Sequence, residues 1–300
     1  MVKKNSLKLS NVSFYYKKNI DVLKNINVNF HEGNIIALLG INGSGKTTLF
    51  KILTGIYEPK NGNLLYNDEK IDKHNIIKYK SNLGFMPEFV HLYKDMYVRE
   101  VLSLLANLKG YKNFNMDKIL RNIQLYEHAH KKVKALSKGM KQRLNLGQAI
   151  IGKPKIVIFD EPSNGFDCTS ITMFYKTLKE LSDNGSIVII SSHHLTEIYG
   201  NVDKVLILSS GMILKSIDIN ALDEGDKNIY LYINKEIEMS LKVSIIKKFG
   251  NIVIKNNLIT GILSTYNILE LVKYIASFGL IVKDIRVESR ILEDVLINLS

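Results

Sequence analysis

The chain has 300 residues and a mass of 34.1 kDa, enough for one large domain with its own core and a smaller second one. Its 46% hydrophobic and 23% charged residues are ordinary for a globular protein and exclude a disordered or fibrous chain. The longest apolar runs have the length of buried strands, far below the roughly 20 residues that cross a bilayer. The N-terminus lacks the apolar stretch of a secretory signal. The single cysteine, Cys168, excludes an internal disulfide and favours a reducing compartment.

The net charge of +12 is unevenly distributed. Residues 1–150 carry 25 Lys and Arg against 11 Asp and Glu, whereas residues 151–300 carry 16 against 18. A basic half of this kind is compatible with nucleic acid, anionic lipid or nucleotide phosphates. The alternative is that lysine is simply the usual solvated surface residue of this chain. The second interpretation is favoured because the lysines are scattered and not interleaved with aromatic residues.

The predicted elements alternate between strands and helices along the first part of the chain. Residues 7–40 are predicted to form strands separated by turns, ending in the apolar run Ile35–Leu39. The glycine-rich turn of residues 40–45 follows, and KTTLFKILTG after it is predicted to be a helix that ends at Gly55. The segment EPKNGNLLYND is predicted to form a hairpin with Asn61-Gly62 as its turn.

The middle of the chain is predicted to be helical before strands return. In residues 98–150 apolar residues recur at three- and four-residue spacing, which predicts helices. Strands are predicted in KIVIFD and GSIVIISS, and KVLILSSGMILKS is predicted to be a closing hairpin. This alternation is typical of a three-layer α/β core with a helical insertion.

The composition changes near residue 220, where ALDEGDKN is polar and acidic. The pattern beyond it predicts strand, helix, strand, strand, helix and strand, which is the split ferredoxin-like order. The predicted spans are 228–234, 239–249, 251–256, 258–264, 265–277 and 280–287. The final ILEDVLINL is predicted to be one more short helix. We therefore expect two domains, residues 1–218 and residues 219–300.

The loop of residues 40–47 reads GINGSGKT and matches the phosphate-binding pattern G-x-x-x-x-G-K-[ST], directly after an apolar strand and directly before a helix. The glycines let backbone N–H groups turn inward on the β-phosphate, and the helix N-terminus adds a positive dipole. Lys46 is placed to bridge the β- and γ-phosphates, and the Thr47 hydroxyl to ligate Mg²⁺. The alternative, a glycine turn beside a solvated lysine, fits this context poorly.

Two acids, Asp160 and Glu161, follow the apolar run Ile156–Phe159. They stand at the carboxyl end of a predicted buried strand, where ligands bind in open α/β sheets. Asp160 is expected to be the outer partner of Mg²⁺, and Glu161 to polarise the attacking water as general base. The alternative is a pair of helix-capping acids after a core strand. The phosphate loop makes the metal-binding interpretation the stronger one.

A pair of histidines follows a third apolar strand, in the segment SSHHL of residues 191–195. A histidine at this edge of the sheet can donate a hydrogen bond to a phosphate oxygen and carry part of the developing charge. A lone histidine is more often structural. Its position after a third core strand favours a sensor of the γ-phosphate.

These motifs, together with LSKGMKQR at residues 136–143, closely resemble the nucleotide-binding subunit of ABC transporters. The resemblance covers about residues 7–216 and rests on five motifs in the order and spacing of that family. It implies an α/β P-loop NTPase (RecA-like) core with an antiparallel β subdomain and a helical subdomain at about residues 88–150. A small accessory α+β domain with the ferredoxin-like order would follow at residues 219–300.

The resemblance also assigns roles to individual residues. Tyr16 resembles the aromatic residue that stacks on adenine, and His193 matches the switch histidine. Ser137, Lys138 and Gly139 resemble the signature that completes the ATP site of the opposite subunit in a head-to-tail dimer, and residues 163–167 (SNGFD) resemble the D-loop. The expected catalytic residues are Lys46, Glu161 and His193, and the expected magnesium ligands are Thr47, Glu88 and Asp160. Contacts with ATP are expected from Tyr16, Gly40, Ile41, Asn42, Gly43, Ser44, Gly45, Lys46, Thr47, Thr48, Ser137, Lys138, Gly139 and Asp167.

The sequence departs from the pattern of the family in three motifs, at four positions. The usual LSGGQ reads LSKGM, so Lys138 and Met140 replace glycine and glutamine. Glu88 stands where a glutamine is expected, and it changes the charge more than the ligand type. Cys168 replaces the proline that often follows the D-loop aspartate. These variants resemble the exporter branch that moves drugs, peptide antibiotics or lantibiotics.

The implied function is an ATP-hydrolysing subunit that uses ATP and Mg²⁺, forms an ATP-sandwich homodimer and drives export through a separate integral membrane permease. The exported substrate would be a drug, a peptide antibiotic or a lipid-like molecule. The subunit would be cytoplasmic and held at the inner face of the membrane by the permease, through the helical insertion and residues 90–98. The alternative for residues 90–98 is an ordinary loop packed on the core.

Two other functions compete with this one. A soluble ABC ATPase acting on nucleic acid or ribosomes would suit the basic first half. It is disfavoured because only residues 49–155 separate the two nucleotide motifs and the chain has a single ATPase domain. A small-molecule kinase with the same phosphate loop would leave LSKGM unexplained. No nucleic-acid partner is therefore expected.

Overall fold

The structure is a computed structural model that describes residues 5–18, 20–89, 92–111, 114–192, 198, 200–219 and 227–289. The chain divides into two compact units, Met1–Ile217 and Asp218–Ser300. The predicted helix at ILEDVLINL lies outside the described residues.

The first unit alternates strands and helices along the chain. Its strands are β1 (Ser6–Tyr15), β2 (Asp21–His31), β3 (Ile35–Leu39), β4 (Asn61–Tyr66), β5 (Glu69–Lys70), β6 (Leu83–Met86), β7 (Ile156–Phe159), β8 (Ile187–Ser192), β9 (Lys204–Ser209) and β10 (Met212–Asp218). Its helices are α1 (Lys46–Leu53), α2 (Ile76–Ser81), α3 (Val98–Leu108), α4 (Met116–Asn122), α5 (Lys138–Ile150) and α6 (Cys168–Asp183). Short 3-10 turns occur at Tyr126–His128 and Val133–Ala135.

Two sheets organise this unit. The larger has the order β10-β9-β3-β8-β7-β6, and the strands from β9 to β6 pair in parallel. Their carboxyl ends therefore meet at one edge of the sheet. The smaller sheet is antiparallel, with the order β2-β1-β4-β5. Both sheets contribute to one apolar core. Leu9 and Phe30 of the smaller sheet belong to it, as do Ile158 and Ile189 of the larger sheet and Phe50 of α1.

The predicted turn at Asn61-Gly62 is wrong. Both residues open β4, which pairs with β1, and the chain turns instead at Asn67 and Asp68, between β4 and β5. Gly62 lies where β1 has an irregular register, and a Cβ placed on it would stand 2.3 Å from the carbonyl oxygens of Ser10 and Asn11. The glycine is therefore required by the close approach of two backbones, since no side chain fits there.

The second unit has the predicted split ferredoxin-like order. Its elements are β11 (Lys227–Ile233), α7 (Met239–Phe249), β12 (Ile252–Lys255), β13 (Leu258–Leu263), α8 (Thr265–Ser277) and β14 (Val282–Ser289). The strands form one antiparallel sheet of order β12-β13-β11-β14. Its core is a separate cluster that includes Leu231, Ile245 and Leu271. The alternating apolar residues of β11 and the helical spacing of α8 predicted this arrangement.

The substitution Gly62→Ala tests the close approach between β1 and β4. Gly62 and Gly33 have nearly the same φ, 78° and 80°, but a Cβ on Gly33 would meet nothing within 4 Å. We expect Gly33→Ala to cost about 1 kcal/mol of backbone strain and Gly62→Ala about 2 to 5 kcal/mol, because the second variant adds a steric clash. Urea unfolding followed by circular dichroism measures both free energies. Equal losses in the two variants would contradict the close approach.

Candidate active site

The phosphate loop joins β3, the buried central strand, to α1. All five residues of β3 are buried, and α1 begins at Lys46. Gly43 and Gly45 have φ values of 84° and 110°, which glycine adopts without steric cost. The Ser44 hydroxyl is buried and has no hydrogen-bond partner within the part of the chain that the structure describes. The loop thus offers an unused hydroxyl beside the free N–H groups of a helix N-terminus, a combination that fits a phosphate group.

Lys46 is buried at the base of this loop, with 7% of its surface exposed. Its Nζ donates a hydrogen bond to the carbonyl oxygen of Gly40 at 2.7 Å and lies 3.5 Å from Oε1 of Glu161. The ammonium group thereby connects the phosphate loop to the acid that follows β7. A cation held at this position can neutralise phosphate oxygens with little movement.

Asp160 and Glu161 come directly after β7, and Ser191 lies beside them at the end of β8. The Ser191 hydroxyl donates to Oδ1 of Asp160 at 2.7 Å, and the N–H of Glu161 donates to the Ser191 oxygen at 2.8 Å. The side chain of Thr47 also hydrogen-bonds to Asp160. Burial raises the pKa of Asp160 above its usual value, and the bonds from Ser191 and Thr47 oppose that rise. Glu161 has a φ of 46°, in the left-handed region that non-glycine residues rarely adopt.

Glu88 lies just beyond β6 and faces the same two acids. Partial burial raises the pKa of Glu88, and the negative charges of Asp160 and Glu161 raise it further. The ammonium of Lys46 and a hydrogen bond with Asn164 act in the opposite direction. Three carboxyl groups therefore share this part of the site with one lysine.

These groups line a cavity of about 510 Å³. The lining residues are Val22, Ile41, Asn42, Gly43, Gly45, Lys46, Thr47, Thr48, Glu88, Asp160, Glu161 and Asn164. The fold thus brings most of the predicted phosphate loop, Thr48, Glu88 and the two acids to one place. Val22 lines it without having been predicted, and Asn164 was predicted only as part of the D-loop.

The oxygen ligands in the cavity fit a magnesium ion. Mg²⁺ prefers carboxylate and hydroxyl oxygens and usually takes one or two carboxylates together with phosphates and water. Thr47, Asp160 and Glu88 supply such oxygens here. Across the described residues, no three or more His, Cys, Asp or Glu are grouped so that they could hold a metal. One hydroxyl and two carboxylates supply fewer oxygens than the six that an octahedral Mg²⁺ takes, so nucleotide phosphate and water would supply the rest.

Tyr16 presents an aromatic face next to the start of α1. Its side chain is 56% exposed, and its hydroxyl lies 3.0 Å from Oγ1 of Thr48. The ring makes edge contacts with Phe14 and Tyr57, at centroid distances of 5.2 and 5.9 Å. The two neighbouring rings contact Tyr16 while more than half of it stays exposed, which suits stacking on another ring.

The signature residues Ser137, Lys138 and Gly139 lie at the N-terminus of α5 and do not line the cavity. Ser137 caps the helix, because its hydroxyl oxygen accepts a hydrogen bond from the backbone of the first turn. The stem of Lys138 runs over Gly165 of the D-loop, where an added Cβ would stand 2.8 Å from the lysine Cε. The signature is thus packed against the D-loop of its own chain.

Asp167, at the end of the D-loop, is also outside the cavity and caps α6. Its Oδ1 accepts hydrogen bonds from the Ser170 N–H at 2.8 Å and the Thr169 hydroxyl at 2.9 Å. The bonds from Ser170, followed by that from Thr169, lower the pKa of Asp167 to about 2. The carboxylate therefore fixes the start of the helix that follows the D-loop.

Sequence reasoning missed a polar stripe on α5 as well as Ser191. Gln142, Asn145 and Gln148 each donate a side-chain amide hydrogen bond to a main-chain carbonyl. The acceptors are, in turn, the carbonyl oxygens of Asn164 (3.0 Å), Pro87 (3.2 Å) and Phe85 (2.6 Å). The available signal was the recurrence of amide side chains every three residues among apolar ones, which places them on one helix face.

His193 and His194 lie outside the described residues. The switch histidine therefore stays a prediction. The same holds for residues 90 and 91 within the segment expected to meet a membrane partner.

Comparison with known proteins places the chain in a family. The profile of the ABC transporter family matches residues 23–164. An uncharacterized ABC transporter ATP-binding protein of Methanocaldococcus jannaschii is 32% identical over 84% of this chain and 94% of its own length. The chain belongs to the ABC transporter ATP-binding proteins. It is therefore an ABC-family ATPase, as the sequence predicted, and its ATP-binding character is shared with that family.

Two further relatives show how far the similarity extends. The uncharacterized ABC transporter ATP-binding protein YdbJ of Bacillus subtilis is 34% identical over 68% of this chain, which spans 66% of YdbJ. The lantibiotic transport ATP-binding protein SrtF of Streptococcus pyogenes is 29% identical over 77% of this chain and 97% of its own length.

Solved structures confirm the predicted fold class. The ATP-binding subunit of an ABC transporter superimposes with a TM-score of 0.66 at 26% identity, over 72% of this chain and 91% of the other. A dimeric cassette bound to ADP and phosphate has the same fold, with a TM-score of 0.65 at 24% identity over 71% and 98% of the two chains. Among the residues described here, no helix is both long enough and apolar enough to span a membrane.

The substitution Glu88→Gln tests the effect of the extra carboxylate. It removes one negative charge from the cavity that receives the phosphates, so we expect affinity for metal-free ATP to rise about threefold. Titration with a fluorescent ATP analogue in EDTA measures this change. Glu69→Gln makes the same charge change at an exposed residue of β5 outside the cavity and should have no effect. An equal response of the two variants would contradict the proposed crowding of charge.

Proposed function

We propose that this chain is the ATP-hydrolysing subunit of an ABC exporter and works as a homodimer on a separate membrane permease. The observation that carries the proposal is the cluster of Lys46, Asp160 and Glu161, buried together at the carboxyl ends of parallel strands beside a phosphate loop. Export is supported by the similarity to SrtF, whose name describes lantibiotic transport. The substrate class would be a drug, a peptide antibiotic or a lipid-like molecule.

In this proposal the cavity residues divide the work on ATP. The phosphate loop of residues 40–47 and Lys46 bind the β- and γ-phosphates, and Tyr16 stacks on adenine. Thr47, Asp160 and Glu88 would hold Mg²⁺. The bound ion would neutralise charge on the β- and γ-phosphate oxygens. Glu161 accepts the proton of the attacking water, because its carboxylate lies in the same cavity as Lys46.

The signature and the D-loop point to a second copy of the chain. Ser137, Lys138 and Gly139 stand at a helix N-terminus and do not line the cavity of their own chain. In this proposal they complete the γ-phosphate site of the second subunit. Asp167 belongs to the same interface in this proposal, and His193 would donate a hydrogen bond to the γ-phosphate. ATP then holds two subunits together, and hydrolysis removes the contacts.

A second groove supports docking of a permease. It has a volume of about 640 Å³ and lies between the helical insertion and the segment around Pro87. Phe85, Tyr93 and Leu105 line it together with Lys109, whose pKa is lowered by burial to about 8. A partly apolar groove next to Glu88 suits a helix of a membrane partner. The subunit would then be cytoplasmic and peripheral at the inner face of the membrane, with unit Met1–Ile217 as the nucleotide-binding domain and unit Asp218–Ser300 as an accessory domain.

The substitution Glu161→Gln tests the proposed base. Glutamine keeps the shape of the side chain but cannot accept the proton, so release of phosphate should fall at least about 100-fold. With magnesium and ATP, size-exclusion chromatography should then show a trapped dimer. Glu69→Gln serves as the control. It should hydrolyse ATP normally, and its subunits should run as monomers once the ATP has been consumed. Normal hydrolysis by the Glu161 variant would refute the base assignment, and a monomer that retains bound ATP would refute the sandwich.

A further inference from the structure

Ser191 carries a buried hydroxyl of the site; it opens the segment SSHHL, but the motif assigns it no role. It is 0% exposed and lies in β8, which pairs in parallel with β7. The register places Phe159 opposite Ile190, so the next residues, Asp160 and Ser191, are neighbours at the edge where the strands end. Ser191 therefore reaches the two acids from an adjacent strand and not from their own loop.

The two hydrogen bonds of Ser191 run in opposite senses. Its O–H donates to the Asp160 carboxylate at 2.7 Å, and its oxygen accepts the N–H of Glu161 at 2.8 Å. A carboxylate only accepts and a backbone N–H only donates, whereas a hydroxyl does both. One hydroxyl thus satisfies two buried groups of opposite character. Alanine at this position would satisfy neither of them, and threonine would retain the same hydroxyl.

The bond from the Glu161 N–H to the Ser191 oxygen restrains the backbone of Glu161. That residue is held at a φ of 46°, an unfavourable conformation for a glutamate, while its side chain lies 3.5 Å from Lys46. The bond from its N–H to Ser191 is formed in this backbone conformation. Loss of the bond would free the peptide to relax, and the carboxylate would move with it.

We propose that Ser191 is a positioning residue for ATP hydrolysis, which sets the carboxylate of Asp160 and the proposed base Glu161 relative to each other through one hydroxyl. This inference rests on the function proposed above for Asp160 and Glu161. Ser191 touches neither nucleotide nor water in this role. It acts by fixing the orientation of two side chains that do, as outer partners of metal ligands commonly do.

Ser186 provides a matched control in the same segment of chain. It directly precedes β8, is 4% exposed, and its hydroxyl donates to the carbonyl of Pro154 at 2.7 Å. It is thus a buried, hydrogen-bonded serine about 16 Å away, at the opposite end of the strand. Ser186→Ala therefore removes a buried hydrogen bond without touching either acid.

The test compares Ser191→Ala, Ser191→Thr and Ser186→Ala in the full chain. We expect Ser191→Ala to lower kcat roughly 10- to 100-fold and to raise by about tenfold the Mg²⁺ concentration needed for half-maximal binding of a fluorescent ATP analogue. Ser191→Thr should restore both quantities to within about threefold of the parent protein. Ser186→Ala should leave both unchanged, even where its thermal midpoint falls as far as that of Ser191→Ala.

A kcat and a magnesium requirement for Ser191→Ala that match those of Ser186→Ala would overturn the proposal. If Ser191→Ala does not fold, Ser191→Cys replaces it, because the thiol has nearly the same volume but forms weak hydrogen bonds. The cysteine variant should lose roughly tenfold in kcat, and parental activity would overturn the proposal equally. Failure here is distinct from failure of the proposed function. If only the role of Ser191 is wrong, Glu161→Gln is inactive while Ser191→Ala has normal activity. If the proposed function is wrong, Glu161→Gln itself is active.

Discussion

The site depends on pairing the charges that the fold buries at one edge of the parallel sheet. Lys46, Asp160 and Glu161 are 7%, 3% and 7% exposed. Leaving one such group without a partner costs several kcal/mol, so each needs a partner fixed by the fold. Lys46 is held by the Gly40 carbonyl and Glu161, and Asp160 is held by Ser191. Because these partners come from three different strands, the parallel register of the sheet determines whether the charges are paired.

Helix α5 links this charged edge to the segments around it. Gln142 holds the D-loop through the carbonyl of Asn164, and Asn145 holds the segment before Glu88 through the carbonyl of Pro87. Asn145 is 0% exposed, so water cannot replace its hydrogen bond if the helix shifts. A shift of this helix relative to the D-loop and the Glu88 segment would therefore break these bonds, at a cost of about 1 to 3 kcal/mol each. Through these bonds α5 contacts both Asn164, which lines the nucleotide cavity, and Pro87, which lines the groove beside the helical insertion.

The sequence was most informative where a local pattern has one structural meaning. The phosphate loop and the acids after Ile156–Phe159 required only the order of strand, turn and helix, and the alternation in β11 required only a two-residue period. Asn61-Gly62 was misread because the same dipeptide serves a tight turn or a close approach of strands. The choice is made by β1, some 50 residues earlier, whose carbonyls leave no room for a side chain at Gly62. Ser191 was missed for a similar reason. Its hydrogen-bond partners, Asp160 and Glu161, lie about 30 residues earlier and come close only because β7 pairs with β8.

The lysine in the signature illustrates how a departure from a family pattern can be accommodated. Lys138 replaces a glycine, yet its stem lies over Gly165, whose missing side chain provides the space. The ammonium remains exposed at the first turn of α5, which contains no acidic residue, and Lys141 follows in the same helix. Positive charge at a helix N-terminus opposes the helix dipole, so this arrangement is unfavourable in the isolated chain. In the proposed dimer, the terminal phosphate of the ATP bound by the other subunit would offset that cost. In that dimer, the substitution would therefore make closure more dependent on the charge of the nucleotide than a glycine signature would.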